Sequence, residues 1–412
     1  MGLLRVFWTV TSIVAAVNAV ILQNGQVRET HFLDTRTDSI GNGWNATAWS
    51  TYGANSTELS YKGRWDSQYI SWWAAPGLKF AFEGEDVAIT FGQYTSNGVL
   101  VAYRVGGLDW QFTNITANAT HHLVAPSTPG LNLTQADQRP LTFEMRVTNW
   151  GYGVQVAAVH LSAGSRLVKI PNFSRSIEFI GDSLTAGMYA TYEAFSGFGY
   201  MIGAGFGDVE FSVTAHPGIC LHDANCWGNP RGQEHQWFET YDTNGRAQQI
   251  HGNRSEPWDF SAHQPADLIL INLGTNDNNT ANNVTNEEYY NSYISFISKV
   301  HEVYPNAQII IMSLWNGFSQ VGNTYREVGA FKDEIYAVYK HYEIEGYVHY
   351  FNSTGILQHN DIGPQYHPTD FGHIKIASHV LQYIRIKFGW EFAATGPEVQ
   401  HETLYWNDES GY

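Results

Sequence analysis

Two rhythms of hydrophobic residues divide the chain. From about residue 78 to 161 apolar and polar positions alternate: Leu141, Phe143, Met145 and Val147 stand between Thr142, Glu144, Arg146 and Thr148, and Val87, Ile89 and Phe91 repeat the pattern. A period of two is that of half-buried strands. With turns such as Pro129-Gly130 between them, the segment predicts an antiparallel β-sandwich. Around Ser162-Ala163-Gly164-Ser165 the pattern changes, and after Pro171 short continuous apolar runs alternate with helical spacings. The runs at 177–180, 209–213, 268–273, 309–313 and 347–351 are apolar almost throughout, as parallel strands covered on both faces are. Tyr293, Phe296, Ile297, Val300 and Tyr304 recur at helical spacing between a Thr285 to Glu288 capping box and Pro305. A last helix over 371–388 places Ile374, Ala377, Leu381 and Ile384 on one face. The expectation is a sandwich domain over 20–168, a three-layer α/β/α domain over 169–390 and a tail over 391–412.

Length and charge agree with two globular domains. The chain has 412 residues, more than one core usually fills, and 43% of them are hydrophobic. A formal net charge of −17 argues against nucleic-acid partners, whose phosphates it would repel. Arg5 precedes an apolar stretch over 6–17, and Val17-Asn18-Ala19 follows with small residues, which predicts a secretion signal over 1–19 cut after Ala19. That stretch is too short for a ~20-residue membrane span and carries Thr9, Thr11 and Ser12, so no membrane association is expected after cleavage. Acceptors for N-glycans at Asn45, Asn55, Asn114, Asn118, Asn132, Asn172, Asn253, Asn278, Asn283 and Asn352 fit a secreted glycoprotein. Cys220 and Cys226, the chain's two cysteines, would close a small loop if oxidised, the alternative being two free thiols.

Candidate chemistry is concentrated in the second half. Gly181-Asp182-Ser183-Leu184 ends the first apolar run, where a strand gives way to a turn and a helix start, so the Ser183 hydroxyl would face the crevice at the carboxyl edge of the sheet. Turn-forming residues alone would read the same way. A serine nucleophile also needs a base and donors for the developing oxyanion. Ala215-His216-Pro217-Gly218 follows the second run and offers a backbone N–H that can approach a ligand closely. Gly274-Thr275-Asn276-Asp277 ends the third run with a side-chain amide, and His367-Pro368-Thr369-Asp370 sets a histidine before the last helix.

Four such blocks in this order, over roughly 175–390, resemble the SGNH or GDSL hydrolase superfamily. The resemblance implies Ser183 as nucleophile, His367 as base, and an oxyanion hole from the Ser183 and Gly218 N–H groups with the Asn276 side chain. A preceding sandwich, with Gly63-Arg64-Trp65 and Trp72-Trp73 near its start, resembles carbohydrate esterase family 2, secreted deacetylases of plant cell-wall polysaccharides with a jelly-roll-like amino-terminal domain. One position departs from the superfamily. Where an aspartate usually stands three residues before the base, this chain has Pro364. Asp361 could orient His367 if the intervening loop turns back, but a Ser-His dyad with a backbone carbonyl on the imidazole is favoured.

No His-Glu-x-x-His and no paired Cys-x-x-Cys occurs, so neither metal nor cofactor is expected, and Asp277-Asn278-Asn279 lacks the glycine of a calcium loop. Trp227, Trp237 and Trp315 flank the expected site, and Trp315, at the end of the fourth run, is ranked first as a platform for sugar rings. The Cys220–Cys226 loop directly follows Gly218 and would either stiffen that donor or serve as a generic surface staple. The expected function is secreted removal of acetyl groups from a polysaccharide or oligosaccharide. Its rivals are a lipase or general short-chain esterase of the same superfamily, and an inactive carbohydrate-binding protein. No Gly-x-Ser-x-Gly elbow of an α/β-hydrolase is present.

Overall fold

The computed structural model describes residues 46–393 apart from 129, 132–139, 242–244 and 253–255, together with the strand pieces Leu22–Gln23, Gln26–Val27 and Ser39–Ile40. The signal expected over 1–19, Pro129 of the expected turn, the acceptors Asn45, Asn132 and Asn253, and the tail from 394 onward lie outside the described residues.

Two antiparallel sheets form the first half. Gln111–Ile115, Val99–Val105, Leu141–Val147, Gly77–Glu83 and Arg166–Val168 lie side by side in one. Ala119–Val124, Val87–Phe91, Val154–Ser162 and Trp49–Gly53 do so in the other. Phe80, Val101 and Phe143 of the first sheet share one apolar core with Ile89, Phe91 and Val159 of the second. The alternation read from the sequence has this cause: Phe143 and Met145 are buried and Thr142 is exposed. Arg146 breaks it, for its guanidinium is buried in an ion-pair network.

The second half is built on five parallel strands, β1 (Arg175–Gly181), β2 (Val209–Ala215), β3 (Leu268–Asn272), β4 (Gln308–Met312) and β5 (Val348–Phe351), in the order β2-β1-β3-β4-β5. Successive strand residues feed two different cores. Ile177, Phe179, Leu268, Leu270 and Ile310 join one, with residues of α1 (Phe198–Gly205) and α4 (Asp370–Phe388). Ile180, Ile269, Ile271, Ile309 and Ile311 join the other, with residues of α2 (Asn286–Val303) and α3 (Lys332–His341). Both faces are therefore dry, which is why the strands read as unbroken apolar runs. The capping box at Thr285 and Glu288 starts α2 as expected.

Two local expectations need correction. No helix begins at Ser183: residues 182–188 form turns, with the Ala186 and Met188 N–H groups on the Asp182 and Ser183 carbonyls, and α1 starts only at Phe198. The glycines of α1 weaken its helical signal, yet they let it lie on the sheet. A Cβ at Gly203 would fall 2.2 Å from the Phe211 ring. In α4 the inward face is rotated from the expected one: His373, Ile376, Ala377, Val380 and Ile384 are buried, while Ile374 is 48% exposed.

The two halves are joined by buried charge. Glu210 of β2 accepts from Lys62 at 2.8 Å and Arg146 at 3.2 Å and lies 3.5 Å from Lys79. Burial alone would raise its pKa, but these cations hold it below the usual carboxylate value. Glu178 of β1 accepts from Arg64 at 3.2 Å, Thr214 Oγ1 at 2.6 Å and Trp237 Nε1 at 3.0 Å. Arg64 is 3% exposed, so removing its partner strands a charge in the interior. Glu178→Leu should cost about 3–5 kcal/mol, read as a lower midpoint in denaturant unfolding followed by tryptophan fluorescence. An unchanged midpoint would mean that Arg64 does not depend on this pair.

Candidate active site

The ends of three neighbouring strands are level. Gly181 pairs with Ala215 on one side and Asn272 on the other, so the segments that follow β1, β2 and β3 leave the sheet at one edge. These segments carry Ser183, Gly218 and Asn276. Ser183 is 6% exposed, and its Oγ lies 2.8 Å from Nε2 of His367, which arrives from the loop before α4. Nδ1 of His367 donates to the Gln365 carbonyl at 2.9 Å. A carbonyl only accepts, so it places the proton on Nδ1 and leaves Nε2 free to take the serine proton.

The His367 loop is closed on itself. Gly363 N–H donates to the His367 carbonyl at 2.7 Å, Thr369 N–H donates to the Asp361 carbonyl at 2.8 Å, and the Thr369 hydroxyl caps α4. Gln365 and Tyr366 are held left-handed, at φ 52 and 63, conformations costly for residues with a Cβ. They turn the Gln365 carbonyl back toward the ring. Burial draws the His367 pKa below its ordinary 6.5, opposed in part by the Gln365 and Pro364 carbonyls. Tyr189 meets the ring edge-on at 5.0 Å.

Asp361 does not orient the histidine. Its carboxylate accepts from Lys375 Nζ at 2.7 Å and Gln358 N–H at 2.8 Å, and the loop does not turn it toward the imidazole, whose Nδ1 is already on Gln365. Asp361 instead braces the loop that carries His367.

The expected oxyanion donors stand on braced segments. Asn276 spends one amide hydrogen on the Ile219 carbonyl at 2.8 Å, which ties it to the Gly218 segment and leaves the other available. Gly218 has φ +81, and a Cβ there would lie 3.0 Å from both Trp227 Cβ and Asn229 Nδ2. Among the described residues, neither the Ser183 nor the Gly218 N–H has an intramolecular acceptor. Cys220 and Cys226 form a disulfide. Asn229 Nδ2 bridges the Pro217 and Cys226 carbonyls at 3.1 Å each, and the Asp277 carboxylate accepts from Leu221 and His222 N–H at 2.8 and 2.9 Å. The loop is thus fastened both to the residue before Gly218 and to the residue after Asn276. Burial raises Asp277 to about 6 and Asp182 to about 7.

The tryptophan ranking changes. Trp315 is 1% exposed and packs in the core, and Trp237 is buried on Glu178, so neither presents a face to a ligand. Trp227, left-handed at φ 52 and 59% exposed, stands against Gly218. Its neighbour Cys226 was the available sequence signal. Trp150 of the sandwich meets His216 edge-on at 5.6 Å, a contribution from the first domain with no signal in the sequence.

Residues 179–374 match the model of the GDSL-like Lipase/Acylhydrolase family. Solved structures of family 2 carbohydrate esterases share its fold across both domains. The one from Clostridium thermocellum in complex with cellohexaose is 22% identical, covering 81% of this chain and 100% of that one, with a TM-score of 0.59. An acetyl xylan esterase from the rumen bacterium Butyrivibrio proteoclasticus is 17% identical over 83% of this chain and 100% of its own, with a TM-score of 0.60. A family 2 enzyme with a carbohydrate binding domain from Corynascus thermopiles (Myceliophthora fergusii) is 18% identical over 81% and 100%, with a TM-score of 0.61. No curated protein sequence matches the chain significantly.

Two measurements check this geometry. General-base action requires neutral His367, and a pKa drawn below 6.5 moves the loss of the neutral form to lower pH. The acid limb of kcat/KM for a small ester should therefore be centred below pH 6.5, whereas a limb centred at or above it would contradict the environment described. Asp361→Asn should lower kcat less than tenfold, about 1.4 kcal/mol. A loss on the order of 10⁴ would instead make Asp361 a triad acid.

Proposed function

We propose that this chain is a secreted serine esterase that removes O-acetyl groups from a plant cell-wall polysaccharide. The observation that carries the reading is the Ser183 Oγ to His367 Nε2 contact of 2.8 Å, with the opposite ring nitrogen on a carbonyl. His367 takes the Ser183 proton as Oγ attacks the acetyl carbonyl, and the oxyanion accepts from the Ser183 and Gly218 N–H groups and the Asn276 amide. Collapse expels the sugar oxygen with the proton from His367. Water then repeats the sequence and releases acetate.

Two further observations support a carbohydrate over a lipid. A cavity of about 250 Å³ adjoining Asn276 is lined by Thr275, Asn278, Asn279, Thr280 and Asn316, all polar, where a long acyl chain would need apolar walls. Trp227 replaces Trp315 as the platform for a sugar face. The relatives in solved structures that act on or bind carbohydrate lend the substrate class, and the expected signal over 1–19 and the acceptor asparagines lend secretion. We read the architecture as a jelly-roll-like sandwich followed by a three-layer α/β/α domain, divided near residue 169.

Acetylated xylan, glucomannan and pectin, each given to wild type and Ser183→Ala, test class and substrate together. Wild type should release acetate from at least one, and the variant should lose on the order of 10³-fold or more. Preference for octanoyl over acetyl nitrophenyl esters, with no polysaccharide deacetylated, would favour the lipase instead.

A further inference from the structure

The hairpin Phe318–Val321 and Thr324–Glu327, inserted after β4, had no forecast in the sequence and no role in the chemistry above. Its base adjoins the two segments that carry Asn276 and His367. Asn316 shares the polar cavity with Thr275 and Asn278, and a Cβ on Gly317 would fall 2.4 Å from the ring of Tyr366, the residue before His367. The base is closed by Asn316 N–H on the Val328 carbonyl and Val328 N–H on the Gly317 carbonyl. From there the hairpin projects along the 355–360 segment, and the two enclose a groove of about 510 Å³.

The lining of this groove is of two kinds. Tyr325, 46% exposed, lies flat on His359 with ring centroids 3.7 Å apart, and Phe318 meets the same histidine edge-on at 5.9 Å. Glu327, Gln358 and Asn360 line the same groove. Glu327 Oε2 accepts from Gly355 N–H at 2.7 Å and so fixes the hairpin to the facing segment, while Oε1 is buried with no partner among the described residues. Flat apolar rings with interspersed carboxylate and amide groups match a pyranose, which has a C–H-rich face and a rim of hydroxyls. A lipid would leave those polar groups unpaired, and an anionic ligand would meet Glu327.

We propose that the groove between this hairpin and the 355–360 segment is a second carbohydrate-binding site, which holds an unmodified stretch of the polysaccharide whose acetyl group is presented to Ser183. The proposal rests on the carbohydrate reading of the active site. It makes the hairpin a determinant of polymer over small-ester preference, because a nitrophenyl acetate fills only the catalytic end.

Tyr325→Ala removes the largest exposed ring, and Tyr325→Phe restores it. On the polysaccharide that wild type deacetylates, Tyr325→Ala should raise KM about five- to tenfold with kcat held, the scale of one lost ring contact. Tyr325→Phe should return it to near the wild-type value, and all three proteins should hydrolyse 4-nitrophenyl acetate alike. Unchanged KM on the polymer, or an equal fall on both substrates, overturns the proposal. If wild type releases no acetate from any polysaccharide, the functional reading fails on its own, and calorimetry decides the groove. Cellohexaose, xylohexaose and mannohexaose are titrated into Ser183→Ala with and without Tyr325→Ala. Binding lost with Tyr325 supports the site, and equal binding or none overturns it.

Discussion

The register that sets Gly181 level with Ala215 and Asn272 is the constraint on which the candidate site depends. Nucleophile and expected oxyanion donors come from three segments separated by dozens of residues, and only the common end of three hydrogen-bonded strands brings them to one edge. A slip of one residue would turn each strand's side chains to the opposite face. The two cores forbid it, since Phe179 and Leu270 belong under α1 and α4 while Ile180 and Ile271 belong under α2 and α3. Packing far from the chemistry thus holds the site to its geometry.

His367 arrives under a different discipline. Its loop is pinned by its own backbone and by Asp361, and the group on Nδ1 is a neutral carbonyl instead of a carboxylate. A carbonyl selects the tautomer as well as an acid does, but it gives less support to the imidazolium that forms when Ser183 loses its proton. Burial lowers the His367 pKa, and among the described residues it is a carbonyl, not a carboxylate, that Nδ1 meets to offset that. The left-handed pair Gln365 and Tyr366 is its conformational cost.

These features were unequally legible. The five strands showed themselves because burial on both faces leaves little room for polar residues, and α2 because its cap is a local hydrogen-bond pattern. Helix α1 did not, since its glycines answer to Phe211, a tertiary neighbour that no local window contains. Ser183, Gly218, Asn276 and His367 could be named from ordered blocks, but Trp315 could not be judged: strand position gives the edge of the sheet and not the direction of a side chain. Pro364 in place of an acid was a true signal that the orienting group lies on the backbone. That Asp361 serves Lys375 required the fold of α4, which brings together residues fourteen apart.

The buried charges between the halves bear on how such a chain can have arisen. Glu178 and Glu210 belong to the two strands that lead toward Ser183 and Gly218, yet their counterions Arg64, Lys62, Lys79 and Arg146 all come from the sandwich. A hydrolase unit cut free would keep two acids without cations, on the edge strand of its sheet and the strand beside it. The sandwich is therefore no portable appendage to be shuffled among enzymes, and the two halves are bound to be inherited together.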